Sequence, residues 1–398
     1  MKILFLTILN ITDIKQNGLY EDLINEFVEN GHDVTIVSPY EKRFNKETAF
    51  IKKDGYDLLK VKTGNIQKTS FIEKGISTLL LPYQYKNSIK KYLNIAEYDY
   101  IMCSTPPITL ASVVDYLKRK TKAQVLLLLK DIWPQSMIDM EAIKPNGLIH
   151  RYFMGKEKNI YKIADWIGCT SQANIDFVKK ANIIDDKKLL IITNGLSDKV
   201  LPSTGNKEVL SKYNVPTDKK VFFYGGNLGI PQDIEFLKKC IGKCADKQNV
   251  HFVVCGHGTQ KHILQEYIEN EAPGNLTLLE YLSQNDYTEL VAATDVCMVF
   301  LNHKFKVPNC PARFYAYMQS GKPVLAVTDT ATDIRFDIEN GEFGWWCESV
   351  DENEFSKIVD IACEADLQQL SKNSRNWFES YYTTNISYKR IIEIMEKG

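Results

Sequence analysis

Arg313 is the residue best placed by its neighbours to meet an anion. It lies in the stretch Pro311-Ala-Arg-Phe-Tyr-Ala-Tyr-Met-Gln-Ser-Gly-Lys-Pro-Val-Leu-Ala326. Pro311 suits a first helical turn, where its missing N–H costs nothing. Free N–H groups and the dipole at a helix start favour a phosphate, and a guanidinium adds a forked charge-assisted bond. The same residues would serve equally in an ordinary helix–strand unit. A second candidate is the carboxylate in Lys130-Asp-Ile-Trp-Pro-Gln135, which closes the apolar run Gln124–Leu129. A carboxylate at the end of an apolar strand is partly desolvated, which raises its pKa unless it is paired. Asp131 is therefore a candidate for holding a substrate hydroxyl or handling a proton, or else for capping a helix. Trp133 could wall a sugar or fill core. Along the strand Lys130 points the opposite way from Asp131.

Two glycine loops add backbone donors. Tyr224-Gly-Gly-Asn-Leu-Gly229 and Cys255-Gly-His-Gly258 both follow apolar runs, and Lys261 lies just beyond the second. Glycine at such turns lets N–H groups come close to a diphosphate. The spacing is neither GxGxxG nor the Walker pattern, and a tight turn would need the same glycines. His257 reads as a loop residue. There is no Asp-x-Asp pair, G-x-S-x-G or H-E-x-x-H, and the first βα turn offers only Gly18.

The elements that must position these residues alternate. Strands are expected at 2–8, 32–38, 100–103, 124–129, 166–170 and 189–193, then at 220–224, 251–255, 276–279, 296–300 and 323–327. The intervening segments have one apolar helical face, such as Leu23, Ile24 and Phe27 in a helix from Leu19 to Glu29. Apolar runs without alternation suit parallel strands covered on both faces. The expected fold class is α/β, with two doubly wound parallel sheets. A polar stretch from Ser197 to Lys220, with Pro202, Gly205 and Pro216, reads as the linker. Helices are expected from about Asp351 to Glu396. Ligands of open α/β sheets bind outside the carboxyl ends of the strands, so the strand-to-helix loops should carry the chemistry.

With 398 residues, 44% hydrophobic and 25% charged, the chain is long enough for two globular domains. A net charge of -1 gives no overall field for nucleic acid. Between Glu41 and Leu93, however, there are twelve Lys/Arg against five Asp/Glu, together with Phe44, Phe50, Phe71, Ile76 and Leu79-Leu-Leu81. That mixture suits an anionic membrane surface, or a lysine-rich face over an ordinary core. No apolar run is long enough to span a bilayer, and the chain begins on a strand rather than a secretion signal. Nine scattered cysteines favour free thiols in a reducing compartment. Cys240 and Cys244 lack a second ligand pair, so no metal site is expected.

The order of motifs resembles family 4 of the retaining glycosyltransferases. Asn30-Gly-His-Asp-Val34 is similar to the family's second strand, and Lys130–Gln135 to the "D-[LI]-W-P" signature of a subgroup acting on amino sugars such as N-acetyl-L-fucosamine. Glu157, Ile160–Asp165, Thr170-Ser171 and Asn194-Gly195 match the segments that follow. Tyr224–Gly229 resembles "Y-x-G-N-[LI]-G", and Pro311–Ala326 resembles "P-S-K-x-x-E-Y-M-A-x-G-K-P-V-[IL]-A". The family usually carries two glutamates eight positions apart, the second holding the nucleotide ribose. Here those positions are Pro308 and Ala316, and Arg313 replaces a frequent lysine.

The resemblance implies the GT-B fold, two Rossmann-like domains facing across a cleft. They are expected at 1–197 and 198–378, with a helix at 379–398 packing back on the first. It implies a metal-independent, cofactor-free transfer with retention, from a UDP-sugar to an undecaprenyl-diphosphate-linked saccharide in capsule or O-antigen synthesis. The location implied is the inner face of the cell membrane. Asp131 and Arg313 are the implied catalytic residues. Gly18, Gly226, Asn227, Gln232, Gly256, Lys261, Tyr281 and Phe314 are the implied donor-binding ones. A leaving diphosphate can itself take the acceptor proton, so no strong general base is required. Two alternatives remain at this stage: a non-catalytic scaffold in a polysaccharide-assembly complex, and a sugar-nucleotide 2-epimerase.

Overall fold

The computed structural model describes residues 1–397 apart from Asn17, Leu19, Lys68, Ile183, Val200 and residues 202–204. Leu19, the expected start of the first helix, and Pro202 of the expected linker lie outside the described residues. The chain divides into two compact units, Met1–Ser197 with Thr384–Gly398, and Asp198–Thr383.

In the first unit the strands are β1 (Lys2–Leu6), β2 (Asp33–Glu41), β3 (Ala49–Lys52), β4 (Tyr56–Thr63), β5 (Tyr100–Thr105), β6 (Gln124–Leu129), β7 (Trp166–Cys169) and β8 (Leu189–Ile191). The helices are α1 (Glu21–Glu29), α2 (Phe71–Tyr92), α3 (Ala111–Lys120), α4 (Gln135–Asp139), α5 (Leu148–Ile163) and α6 (Gln172–Ala181). The sheet order is β3-β4-β2-β1-β5-β6-β7-β8, parallel except for the β3–β4 hairpin. Strand side chains alternate between faces. Ile3, Phe5, Ile36, Leu58, Met102 and Leu128 face α1 and a helix from the chain's far end, given below.

The second unit runs α7 (Glu208–Ser211), β9 (Lys220–Asn227), α8 (Ile234–Lys243), β10 (Val250–His257), α9 (Lys261–Glu271), β11 (Leu276–Leu279), α10 (Gln284–Ala293), β12 (Val296–Phe300) and α11 (Ala312–Gln319). It continues with β13 (Val324–Thr328), α12 (Ile334–Gly341), β14 (Gly344–Glu348), α13 (Glu352–Glu364) and α14 (Leu367–Tyr381). The sheet order is β11-β10-β9-β12-β13-β14, all parallel. One face is an apolar layer in which Phe222, Phe252, Met298 and Leu325 meet Leu237 of α8 and Phe355 of α13.

The last helix, α15 (Thr384–Lys397), belongs to the first unit. Tyr388, Ile391 and Met395 enter its core, and Tyr388 Oη pairs with His32 Nε2 at 2.9 Å. The return begins at Thr384, five residues later than the expected 379. The residues just before it are held in the second unit, where Tyr382 donates to Asp337 Oδ2 at 2.7 Å and its ring meets Tyr315 at 4.9 Å. No described helix is long and apolar enough to cross a membrane, and no group of three metal-ligating side chains occurs among the described residues. All nine cysteines are free.

Candidate functional site

Strand order places the site of the second unit. The order reverses between β9 and β12, so their two following loops diverge and leave a crevice at the carboxyl end of the sheet. β9 ends on Gly225-Gly-Asn227, the loop after it carries Leu228–Gln232, and the loop after β12 leads into α11 with Arg313 in its first turn.

The glycines are there because of how closely this crevice is packed. Gly226 has φ +129, and a Cβ on it would lie 3.0 Å from the Arg313 guanidinium. A Cβ on Gly256 would lie 1.9 Å from Gly226 O, so no side chain fits there while β9 and β10 stay paired. Backbone bonds continue the pairing past the strands. Leu228 N–H donates to His257 O at 3.0 Å, and Gln260 N–H donates to Leu228 O at 2.9 Å.

Arg313 lies along this floor. Its guanidinium carbon sits 4.5 Å from the centroid of the Tyr224 ring. Its Nη1 is buried and has no hydrogen-bond partner among the described residues. A buried donor left unmade costs about 1–3 kcal/mol. An oxyanion entering beside Gly226 would remove that cost and gain a charge-assisted bond.

The remaining sequence-derived residues fall in several places. Asn227 Nδ2 donates to Gln232 Oε1 at 2.7 Å, so these two brace each other and the short turn at Ile230–Gln232. Lys261 opens α9, is buried, and pairs with Glu280. The bond from Lys261 holds the Glu280 carboxyl below its ordinary range. Tyr281 follows and is 83% exposed. Phe314 does not fit a donor-binding role: its ring is fully buried beside Tyr315 and Phe343, and its N–H is taken by Pro311 O at 2.9 Å.

Tyr317 and Tyr287 were not singled out by sequence. Tyr317 Oη accepts from Gly225 N–H at 2.9 Å, and a Cβ on Gly225 would strike Tyr287 Oη at 2.3 Å. Burial pushes both phenols well above their ordinary pKa, so they act as neutral hydroxyls. The available signal was a tyrosine, rather than an aliphatic residue, on the apolar face of α11 beside a glycine strand end.

In the first unit Gly18 adjoins the start of α1. A Cβ there would meet the Glu21 carboxylate at 2.3 Å. Burial raises the Glu21 pKa, while the backbone N–H groups of Glu21 and Tyr20 lower it by bonding to the carboxylate. That helix start already holds an anion of the chain itself. Asp131 follows β6. Desolvation by the surrounding protein pushes its pKa up, as the strand-end position predicts, although the residue is exposed to water. Its charge also raises the pKa of the buried Tyr20, after the larger effect of burial itself. Lys130 turns instead toward Ile192 O and Thr193 O, at 3.5 and 3.4 Å. Trp133 packs edge-on against Phe153 at 4.1 Å.

Comparison with known proteins bears on this geometry. Residues 206–377 match the family described as "Glycosyl transferases group 1". A "Probable glycosyltransferase WbjE" of Pseudomonas aeruginosa is 23% identical over 326 residues, 81% of this chain and 80% of that protein. The chain is a glycosyltransferase, and the segment that matches the group 1 family lies in its second unit.

Solved structures agree on the fold. A sucrose-phosphate synthase from Thermosynechococcus elongatus covers all of the transferase and 98% of its own chain, at a TM-score of 0.75 and 14% identity. Alr3699/HepE of Anabaena, solved in complex with UDP, covers 100% of both chains at a TM-score of 0.71 and 14% identity. The transferase has the GT-B fold, two doubly wound parallel-sheet units. The matched family segment contains Gly226, Gly256, Lys261 and Arg313, while Asp131 and Gly18 lie outside it.

Proposed function

We propose that this transferase moves a sugar from a UDP-sugar, with an N-acetylated amino sugar the expected donor, to an undecaprenyl-diphosphate-linked saccharide in capsule or O-antigen assembly. The unpartnered Nη1 of Arg313 beside Gly226, at the point where the sheet order reverses, carries this reading. Departure of a nucleoside diphosphate builds negative charge, and a preorganised guanidinium in a poorly hydrated floor stabilises it without a metal. The Anabaena neighbour was solved with UDP and with UDP-glucose, which supports a uridine donor. The Asp-Ile-Trp-Pro stretch supports the amino sugar, and the shared fold with WaaG, a glycosyltransferase involved in lipopolysaccharide biosynthesis, supports a polysaccharide context.

In the reaction, the second unit would hold the diphosphate on Arg313 and on N–H groups of the two glycine loops. Lys261 would turn from Glu280 to the phosphate. Asp131 would position the acceptor hydroxyl, whose proton passes to the departing diphosphate. Anomeric configuration would be retained, and the acceptor's lipid would keep the protein at the inner face of the membrane.

The test is product analysis. The enzyme is incubated in chelator with UDP-N-acetylhexosamines and a lipid-diphosphate-linked sugar. One added N-acetylhexosamine by mass, with the donor's anomeric configuration by NMR, is expected. Conversion of the UDP-sugar without acceptor, or an inverted linkage, would contradict the reading.

A further inference from the structure

The most unusual surface of the molecule is on α2 and α5. Ser77, Leu81, Tyr85 and Ile89 recur every four residues along α2 and turn inward. Tyr85 Oη reaches Thr7 O at 2.7 Å. A surface helix normally shows charge on its other face. Here Ile72, Ile76, Leu79, Leu80 and Tyr83 are instead 78, 56, 55, 50 and 68% exposed. The first turns of α5 repeat the pattern, with Leu148 and Ile149 85 and 60% exposed and Tyr152 also open to water. Contiguous exposed apolar side chains mark an interaction surface.

Charge identifies the occupant. Helix α2 carries Lys74, Lys86, Lys90 and Lys91 against Glu73. Helix α5 carries Arg151, Lys156, Lys158 and Lys162 against one buried acid, Glu157. The two sets adjoin, since α2 and α5 both pack on α3 and on the turn Ile108–Leu110 before it, and the charges of Lys156 on α5 and Lys90 on α2 both bear on Lys86. A second copy of this chain would set like charges face to face. An anionic bilayer offers apolar depth and negative headgroups together. The surface also continues inward. The Tyr152 ring meets Phe153 at 5.1 Å, Phe153 meets Trp133 at 4.1 Å, and Trp133 is two residues from Asp131.

We propose that the outer face of α2 and the first turns of α5 together form a docking surface for an anionic lipid bilayer, with the Tyr152–Phe153–Trp133 row leading from it toward Asp131. This rests on the lipid-linked acceptor proposed above, and it names the surface by which the transferase reaches that lipid.

The experiment is flotation of the full chain with vesicles of phosphatidylcholine alone or mixed with phosphatidylglycerol. Co-flotation is expected with the anionic vesicles and should weaken as salt rises. The exposed-site variant Ile76→Ser/Leu80→Ser/Ile149→Ser should lose at least tenfold in bound fraction. Lys86→Gln/Lys90→Gln should lose the preference for phosphatidylglycerol. Both should keep the wild-type rise in melting temperature with UDP, which shows that they fold. Equal partition into the two vesicle types, undiminished flotation of the triple variant, or a dimer in sedimentation that this variant dissolves would each overturn the proposal. Flotation without any UDP effect would leave the docking surface standing and remove the donor assignment instead.

Discussion

The loops at the carboxyl ends of the two sheets are built differently. In the second unit the site is preassembled: backbone bonds join the β9 and β10 loops, Gly256 admits no side chain, and the Arg313 donor is already dry and unpaired. In the first unit the corresponding residue, Asp131, is exposed, and the start of α1 is filled by the chain's own Glu21 carboxylate. The contrast suits a division of labour. A diphosphate needs a fixed positive floor, whereas a hydroxyl acceptor needs only a carboxylate within reach.

Substitutions can break that contrast. The largest effect is expected for Arg313→Ala, which should lower kcat/KM by about 10²–10³-fold, as loss of a preorganised oxyanion donor does. Arg313→Lys should recover part of it. Asp131→Asn should cost roughly 10²-fold in turnover, with UDP affinity unchanged, if the proposed acceptor-side role holds. It should also remove the acid limb that an ionised carboxylate at this position gives the pH–rate profile. Gly256→Ala forces a methyl against Gly226 O and should destabilise the second unit by about 1–3 kcal/mol in denaturant titration. UDP binding should weaken with it.

The smallest effect concerns a buried acid away from the proposed site. Glu157 is buried, and burial pushes its pKa up to about 7, partly opposed by the bond from Tyr161 Oη at 2.9 Å. The folded state therefore holds a proton that the unfolded state has released between about pH 4.5 and 7, so stability falls across that window. Glu157→Gln should be near neutral at pH 5 and stabilising by roughly 1–3 kcal/mol at pH 8. A stability difference that does not change with pH would contradict this.

Much of this arrangement was legible in the sequence. Runs such as Val125–Leu129 and Val296–Phe300 are apolar without alternation because parallel strands are buried on both faces. The glycine loops and Arg313 fall at the ends of such runs. Several elements were hidden, the β3–β4 hairpin among them. β4 reads Tyr-Asp-Leu-Leu-Lys-Val-Lys-Thr, and Lys60 disguises it. That lysine is fully buried and bonds Asn10 Oδ1, Ile11 O and Ser38 Oγ at 2.6, 2.8 and 2.7 Å, a set no local pattern shows. α2 has apolar residues on two faces and Pro82 inside it, so it lacks the one-sided periodicity that marks a helix. β14 is five residues with adjacent tryptophans, short enough to pass as loop. Phe314 shows the limit at the site itself. Spacing puts it on α11, but only packing decides that its ring enters the core.

The central claim is that the second unit binds a uridine diphosphate through Arg313. It is tested most directly by thermal stability of wild type and Arg313→Ala against UDP, GDP, ADP, CMP and dTDP. At about 100 times its dissociation constant a ligand of the folded state adds roughly 2.7 kcal/mol. A rise with UDP alone in wild type, largely lost in Arg313→Ala, is the predicted result. An equal UDP effect in both proteins would contradict the role of Arg313, and no effect from any nucleotide would contradict the donor site.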